Sequence, residues 1–303
     1  MPTLNPRLHS VRRLALLSFA LVLVVTTLSA YMRLTAAGLG CADWPSCYGA
    51  SLRAGAEPAI AQAGVVLARM LHRLAAVTVL VLALTMAAAS FLGKPRLRRE
   101  GWMSLGLIAL ALGLAVLGRF TPGAKLPAVA IGNVLGGFAM LLLSWRIHQG
   151  AVPAARWSPA ALALMLLLLA QIALGVLVSA GYSGLSCTGF PGCGHDFDAS
   201  LALLDPTRIP AFDATPPIHP QGAFAHLLHR VLGLAVALTA LLVAVGSWRR
   251  GQRTLAILLV ALLTLQIALG SILVLAALPL PAAVAHNLVA ALLLAAASEH
   301  LRR

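Results

Sequence analysis

Apolar residues gather along this 303-residue chain in eight blocks, at about 12–32, 64–92, 102–119, 126–146, 159–180, 222–247, 254–276 and 280–298. Charged residues, prolines and glycines collect between them. Crossing roughly 30 Å of hydrocarbon takes about 20 helical residues, and each block comes close to that length or exceeds it. The pattern predicts an all-α integral membrane protein with eight transmembrane helices, four in each half of the chain. Composition agrees: 60% of residues are hydrophobic and 10% charged, too few charges to keep a soluble domain in water. Arg12-Arg13 ahead of the first block also fit a cleavable signal peptide. The block continues to about Tyr31 without a small-residue cleavage site, so it is read as a helix.

The polar intervals repeat. Gly38-Leu-Gly-Cys-Ala-Asp-Trp-Pro-Ser-Cys47 returns as Gly184-Leu-Ser-Cys-Thr-Gly-Phe-Pro-Gly-Cys193, and Leu71-His72-Arg73 returns as Leu228-His229-Arg230. The chain reads as a duplicated unit. An even number of spans per unit brings the second into the membrane in the orientation of the first, which makes these parallel repeats. The expected architecture is two pseudo-symmetric four-helix bundles, 1–150 and 151–303.

A net charge of +14 raises the question of nucleic acid, and its distribution answers it. Arg7, Arg12 and Arg13, the run Lys94 to Arg99, Arg146 and Arg156, Arg249 to Arg253, and Arg302 and Arg303 lie at the termini and alternate loops. Of the eight acids, Asp43, Glu57, Asp196, Asp198, Asp205 and Asp213 occupy the opposite loops. Positive charge here encodes topology: a multi-pass protein of the cytoplasmic (inner) membrane, both termini inside, with the 33–63 and 181–221 loops outside. No nucleic-acid partner is expected.

The cysteines form two pairs, Cys41/Cys47 and Cys187/Cys193, each in an outside loop. An oxidising compartment and so short a spacing suit a disulfide in each. A zinc site assisted by His195, or free thiols, are the other readings. Pro45 and Pro191, beside Trp44 and Phe190, fit tight turns at the membrane interface.

Of nine histidines, His72, His226, His229 and His286 lie inside or at the rim of apolar blocks. Polar groups at such depth are costly and tend to serve function, with a helix-to-helix hydrogen bond as the plain alternative. His229 lies about seven residues into the sixth block and His286 about six into the eighth. Both would sit roughly 10 Å below the outer surface at 1.5 Å per residue. Two imidazoles at matched depth on different helices are what bis-histidine haem ligation needs. Arg230 suits either a haem propionate or interface anchoring. His226, one turn from His229, suits a supporting or an alternate ligand. The first half repeats this only in part. His72-Arg73 matches His229-Arg230, but Leu126-Pro-Ala-Val-Ala-Ile-Gly-Asn133 sets Gly132 or Asn133 where Leu280-Pro-Ala-Ala-Val-Ala-His286 has its histidine.

These residues, with the stretch Arg33-Leu-Thr to Gly49, Gln171-Ile-Ala-Leu-Gly and Leu278-Pro-Leu-Pro, give a chain that resembles the haem A synthase family over essentially its whole length. The resemblance implies eight helices in two pseudo-symmetric halves and extracytoplasmic cysteine pairs. It implies that His229 and His286 ligate a haem b in the C-terminal half, and that His72 handles substrate haem O in the N-terminal half. The implied reaction oxidises a haem methyl to a formyl by successive hydroxylations, electrons leaving to an unidentified acceptor. The implied partners are the farnesyltransferase that forms haem O and cytochrome oxidase assembly factors; a homo-oligomer is compatible.

Two positions depart from the family pattern. Its fourth-helix histidine of the first half is here Asn133, or Gly132 by the internal repeat, and the glutamate usual three residues before the second-helix histidine is Arg69. Arg69 can meet a propionate but cannot accept a proton as a carboxylate does. The alternative reading is therefore a non-catalytic haem b-binding oxidase-assembly protein, or a b-type electron carrier.

Overall fold

The computed structural model describes residues 6–50, 62–120, 126–150, 158–189, 192–193, 204–210 and 220–301. It is all-helical, with no strand among the described residues: α1 (Pro6–Ala36), α2 (Gln62–Phe91), α3 (Arg98–Phe120), α4 (Pro127–Gln149), α5 (Pro159–Ala180), α6 (Pro220–Arg249), α7 (Arg253–Leu275) and α8 (Leu280–Glu299). All eight are long and apolar enough to cross a membrane. The apolar blocks understate α1 and α6, which have 31 and 30 residues. At 1.5 Å per residue these exceed a 30 Å core by roughly half again, so their polar ends continue as helix beyond the apolar blocks.

Local signals set several helix starts. Proline occupies the first turn of α4, α5 and α8, where its missing N–H costs nothing. Ser158 caps α5 by accepting from the Ala161 N–H at 3.3 Å. The open first turn of α4 is met from the second half, where the Pro206 carbonyl accepts the Ala128 N–H at 2.8 Å. That loop is itself tied by Asp205, whose Oδ1 accepts from the Thr207 N–H and hydroxyl at 2.9 and 2.6 Å. These bonds hold the Asp205 carboxyl below its usual range.

In the first half, α1 and α3 each touch both α2 and α4; in the second, α6 and α8 each touch both α5 and α7. Each half is therefore a ring of four, with α2 diagonal to α4 and α6 diagonal to α8. Contacts of α1 with α8 and of α4 with α5 and α8 join the rings. The buried stripe of α1, Val11, Ala15, Ser18, Val22, Thr26 and Ala30, is small or β-branched at helical spacing. Such residues let backbones approach where lipid offers no hydrophobic drive. A Cβ on Gly137 of α4 would already lie 3.1 Å from the Thr26 methyl. Large apolar residues such as Leu67, Met70, Leu74 and Val77 on α2, and Leu234, Leu238 and Leu242 on α6, are exposed, as lipid-facing positions should be.

The two ends differ. At the end carrying the basic segments, charged side chains close loops: Arg7 donates to the Pro95 carbonyl, Arg99 to the Arg146 carbonyl at 2.8 Å, and Trp145 to Glu299. At the cysteine end a second core forms from both halves, built on Leu34, Leu39, Tyr48 and Leu185 with Trp44, Tyr182, Leu278 and Leu280 around it. The rings of Tyr48 and Tyr182 meet at 5.5 Å. Tyr48 is hydrogen-bonded to the Gly184 backbone, and its burial pushes the phenol above its usual range.

Candidate functional site

The histidines singled out in the C-terminal half lie near the starts of α6 and α8, both of which begin at the cysteine end. The α7–α8 turn is short because Ala277 and Leu278 take left-handed conformations, φ 52° and 61°, and the Leu278 N–H returns to the Leu273 carbonyl at 2.8 Å. So tight a reversal sets the last turns of α7 beside the first turns of α8.

Two glutamines meet the two histidines. Gln171 of α5 places its amide nitrogen 3.3 Å from His229 Nε2 and donates to the His229 carbonyl at 3.0 Å. Gln266 of α7 places its amide nitrogen 3.1 Å from His286 Nε2. A carbonyl can only accept, so the His229 carbonyl fixes which end of the Gln171 amide faces it. Glycine makes room for each ring. A Cβ on Gly175 would stand 2.8 Å from His229 Cε1, and one on Gly270 would stand 3.3 Å from His286 Cε1. The donor and the gap come from one pentapeptide, Gln-Ile-Ala-Leu-Gly, present at 171–175 and again at 266–270. Its repetition was the signal available in the sequence for Gln266, Gly175 and Gly270, which reading by histidines and cysteines alone passes over.

His229 and His286 stand on diagonal helices of one ring. The Nδ1 of each is buried without a hydrogen-bond partner, as is the Oε1 of each glutamine. His226 turns elsewhere: its Nδ1 lies 3.2 Å from the Ser183 carbonyl, so that nitrogen carries the proton. Arg230 reaches the cysteine loop and donates to the carbonyls of Cys187, Gly189 and Gly192 at 2.5, 2.6 and 2.9 Å. It ties the loop to α6, a use the sequence did not disclose.

Both cysteine pairs are disulfides, Cys41–Cys47 and Cys187–Cys193, with Cα atoms 6.7 and 4.2 Å apart. No free cysteine and no cluster of metal-ligating residues occurs among the described residues. His195, His219, Phe190 and Pro191 lie outside the described residues. Between the loops, Arg33 of α1 donates to the Ser179 hydroxyl of α5 at 2.5 Å, a polar link from one ring to the other.

The first half is furnished differently. His72 is half-buried on α2, with Arg69 and Arg73 exposed beside it. Asn133 is half-buried on α4, the helix diagonal to α2.

Fold and site together define a polytopic helical membrane protein, eight spans in two rings of four, with paired imidazoles across one ring and disulfide-closed loops at the same end. The family model described as cytochrome oxidase assembly protein matches residues 12–298. The haem A synthase of Shewanella oneidensis is 32% identical over 312 residues, covering 92% of each chain. The chain belongs to the haem A synthase family of cytochrome oxidase assembly proteins.

Proposed function

We propose that the protein is a haem A synthase, a membrane oxidoreductase that converts haem O to haem A for cytochrome oxidase biogenesis. The observation that carries this is the likeness to a haem A synthase along nearly the full length of both chains. Neither comparison favours the non-catalytic alternative. The reaction takes a haem methyl to a formyl by successive hydroxylations. Each takes its oxygen from water and releases two protons and two electrons, the electrons to an acceptor outside the chain, and the geminal diol left by the second loses water to give the formyl.

The C-terminal half, 151–303, is the resident-haem half. Its residues fit a haem b: two imidazoles on diagonal helices, each seated over a gap left by a glycine. His229 and His286 would hold the iron, and the haem would supply a one-electron store beside the substrate half. Arg230 holds the cysteine loop over that end of the ring, and His226 supports it through Ser183. The N-terminal half, 1–150, is the substrate half. His72 would bind the iron of haem O, Asn133 would stand at the opposite helix as a hydrogen-bond donor or acceptor, and Arg69 and Arg73 would meet propionates. Arg69 binds charge and moves no proton, so proton acceptance in this half falls to water or to substrate-bound groups. The basic end faces the cytoplasm and the disulfide loops face outward from the inner membrane, as the charge distribution supports. Haem O would arrive from its farnesyltransferase, and haem A would pass to oxidase assembly factors.

The test is to express the chain in a membrane that makes haem O and no haem A, then extract and identify the haems by chromatography and mass. Haem A is expected. Its absence, with folded protein in the membrane, overturns the reading.

A further inference from the structure

The Gln-Ile-Ala-Leu-Gly repeat is used twice on the same kind of target. In both copies the glutamine touches the Nε2 of one histidine, and the glycine one turn on leaves the space its ring occupies. In both copies the accounting of polar atoms fails in the same way. The glutamine Oε1 is a buried acceptor with nothing to accept, and the histidine Nδ1 is buried with nothing to pair with. Such atoms are expensive to leave alone in an apolar interior. One residue pair thus holds both an unused acceptor and a nitrogen able to donate, and this occurs at two sites built from different helices.

An imidazole that binds iron through Nε2 must carry its proton on Nδ1, and that N–H is ordinarily given to an acceptor that orients the ring and raises its basicity. We propose that Gln171 and Gln266 are positioning residues for the haem ligands: each holds its histidine's Nε2 as a lone pair before haem arrives and, once iron takes that nitrogen, swings its freed amide so that Oε1 accepts the Nδ1–H, Gln171 giving up its bond to the His229 carbonyl in the move. This inference rests on His229 and His286 being the ligands. Gly175 and Gly270 belong to the same device, since a side chain at either would push the ring off the helix that positions it. The His229 site, with the closer glycine, is the less tolerant.

The sign of the expected effect follows from electron donation. A hydrogen bond from Nδ1 makes imidazole a better donor and favours oxidised iron. Gln266→Met removes the acceptor at nearly constant volume, and Gln266→Glu strengthens it. The experiment is a redox titration of the b-type haem in the purified full-length protein, comparing wild type with Gln266→Met, Gln266→Glu and the corresponding changes at Gln171, with His286→Ala as control. Midpoint potentials should fall in the order Met above Gln above Glu, with the low-spin spectrum kept. Should the methionine variant lose its haem or fail to fold, the glutamate variant decides alone: a potential below wild type supports the proposal, and one equal or higher overturns it. Equal potentials in fully loaded variants overturn the glutamine role and leave the haem reading standing. A wild type without low-spin haem b, or a His286→Ala spectrum unchanged from it, overturns the haem reading itself.

Discussion

The two rings share a frame and differ in what lines it. In the second, α5 and α7 each present a glutamine and a glycine to a histidine on the next helix. Aligned on Gly-Leu-x-Cys, the α1 positions matching Gln171 and Gly175 are Val25 and Ser29. In α3 the pentapeptide persists as Ala109-Leu-Ala-Leu-Gly113, with alanine for glutamine, and a Cβ on Gly113 would meet nothing within 4 Å. On α4, where α8 carries His286, leucines from α3 press in instead: a Cβ on Gly132 would lie 3.0 Å from Leu117 Cδ2, and one on Gly136 would lie 2.6 Å from Leu114 Cδ2. The second ring therefore pairs a glutamine with an imidazole on each of two diagonal helices, while the first has valine and alanine at the glutamine positions and leucines packed at α4. The contrast suits, on the proposed function, a haem that stays and a haem that must enter and leave.

The largest expected effect breaks the contrast from the second ring. His229→Ala should abolish the low-spin b-type signal and leave purified protein with little bound haem, measured as pyridine haemochrome per chain. Next come the glycines. Gly175→Ala should lower haem retention more than Gly270→Ala, because the new methyl meets its ring at 2.8 Å rather than 3.3 Å. Equal losses would say that the gaps are incidental. Arg230→Ala should leave haem coordination intact and destabilise the protein by about 2 kcal/mol, since charge-assisted bonds to loop carbonyls are lost; thermal melting in detergent reads it. The smallest effect sharpens the contrast from the first ring. Val25→Gln should leave the resident haem's potential unmoved, while the same titration responds at Gln171.

How much of this was legible in the sequence differs with the kind of force involved. The eight spans were readable because hydrocarbon demands length and apolarity, which are properties of composition. The ends of α1 and α6 were not, because helix continues through residues no longer apolar. Spacing and an oxidising compartment favoured a disulfide in each cysteine pair over zinc or free thiols, and the structure shows both disulfides. Arg230's attachment to the cysteine loop could not be read, since its acceptors are backbone carbonyls some forty residues away, and a carbonyl has no sequence signature. The glutamines lay between these cases. Their motif was visible twice, but a glutamine in an apolar helix says little until the side chain it faces is known.

The most direct measurement compares the halves in one experiment: reduced-minus-oxidised spectra of purified wild type, His286→Ala and His72→Ala. His286→Ala should lose the low-spin b-type band and His72→Ala should keep it. A band that survives His286→Ala, or disappears with His72→Ala, would contradict the assignment of the resident haem to the second ring.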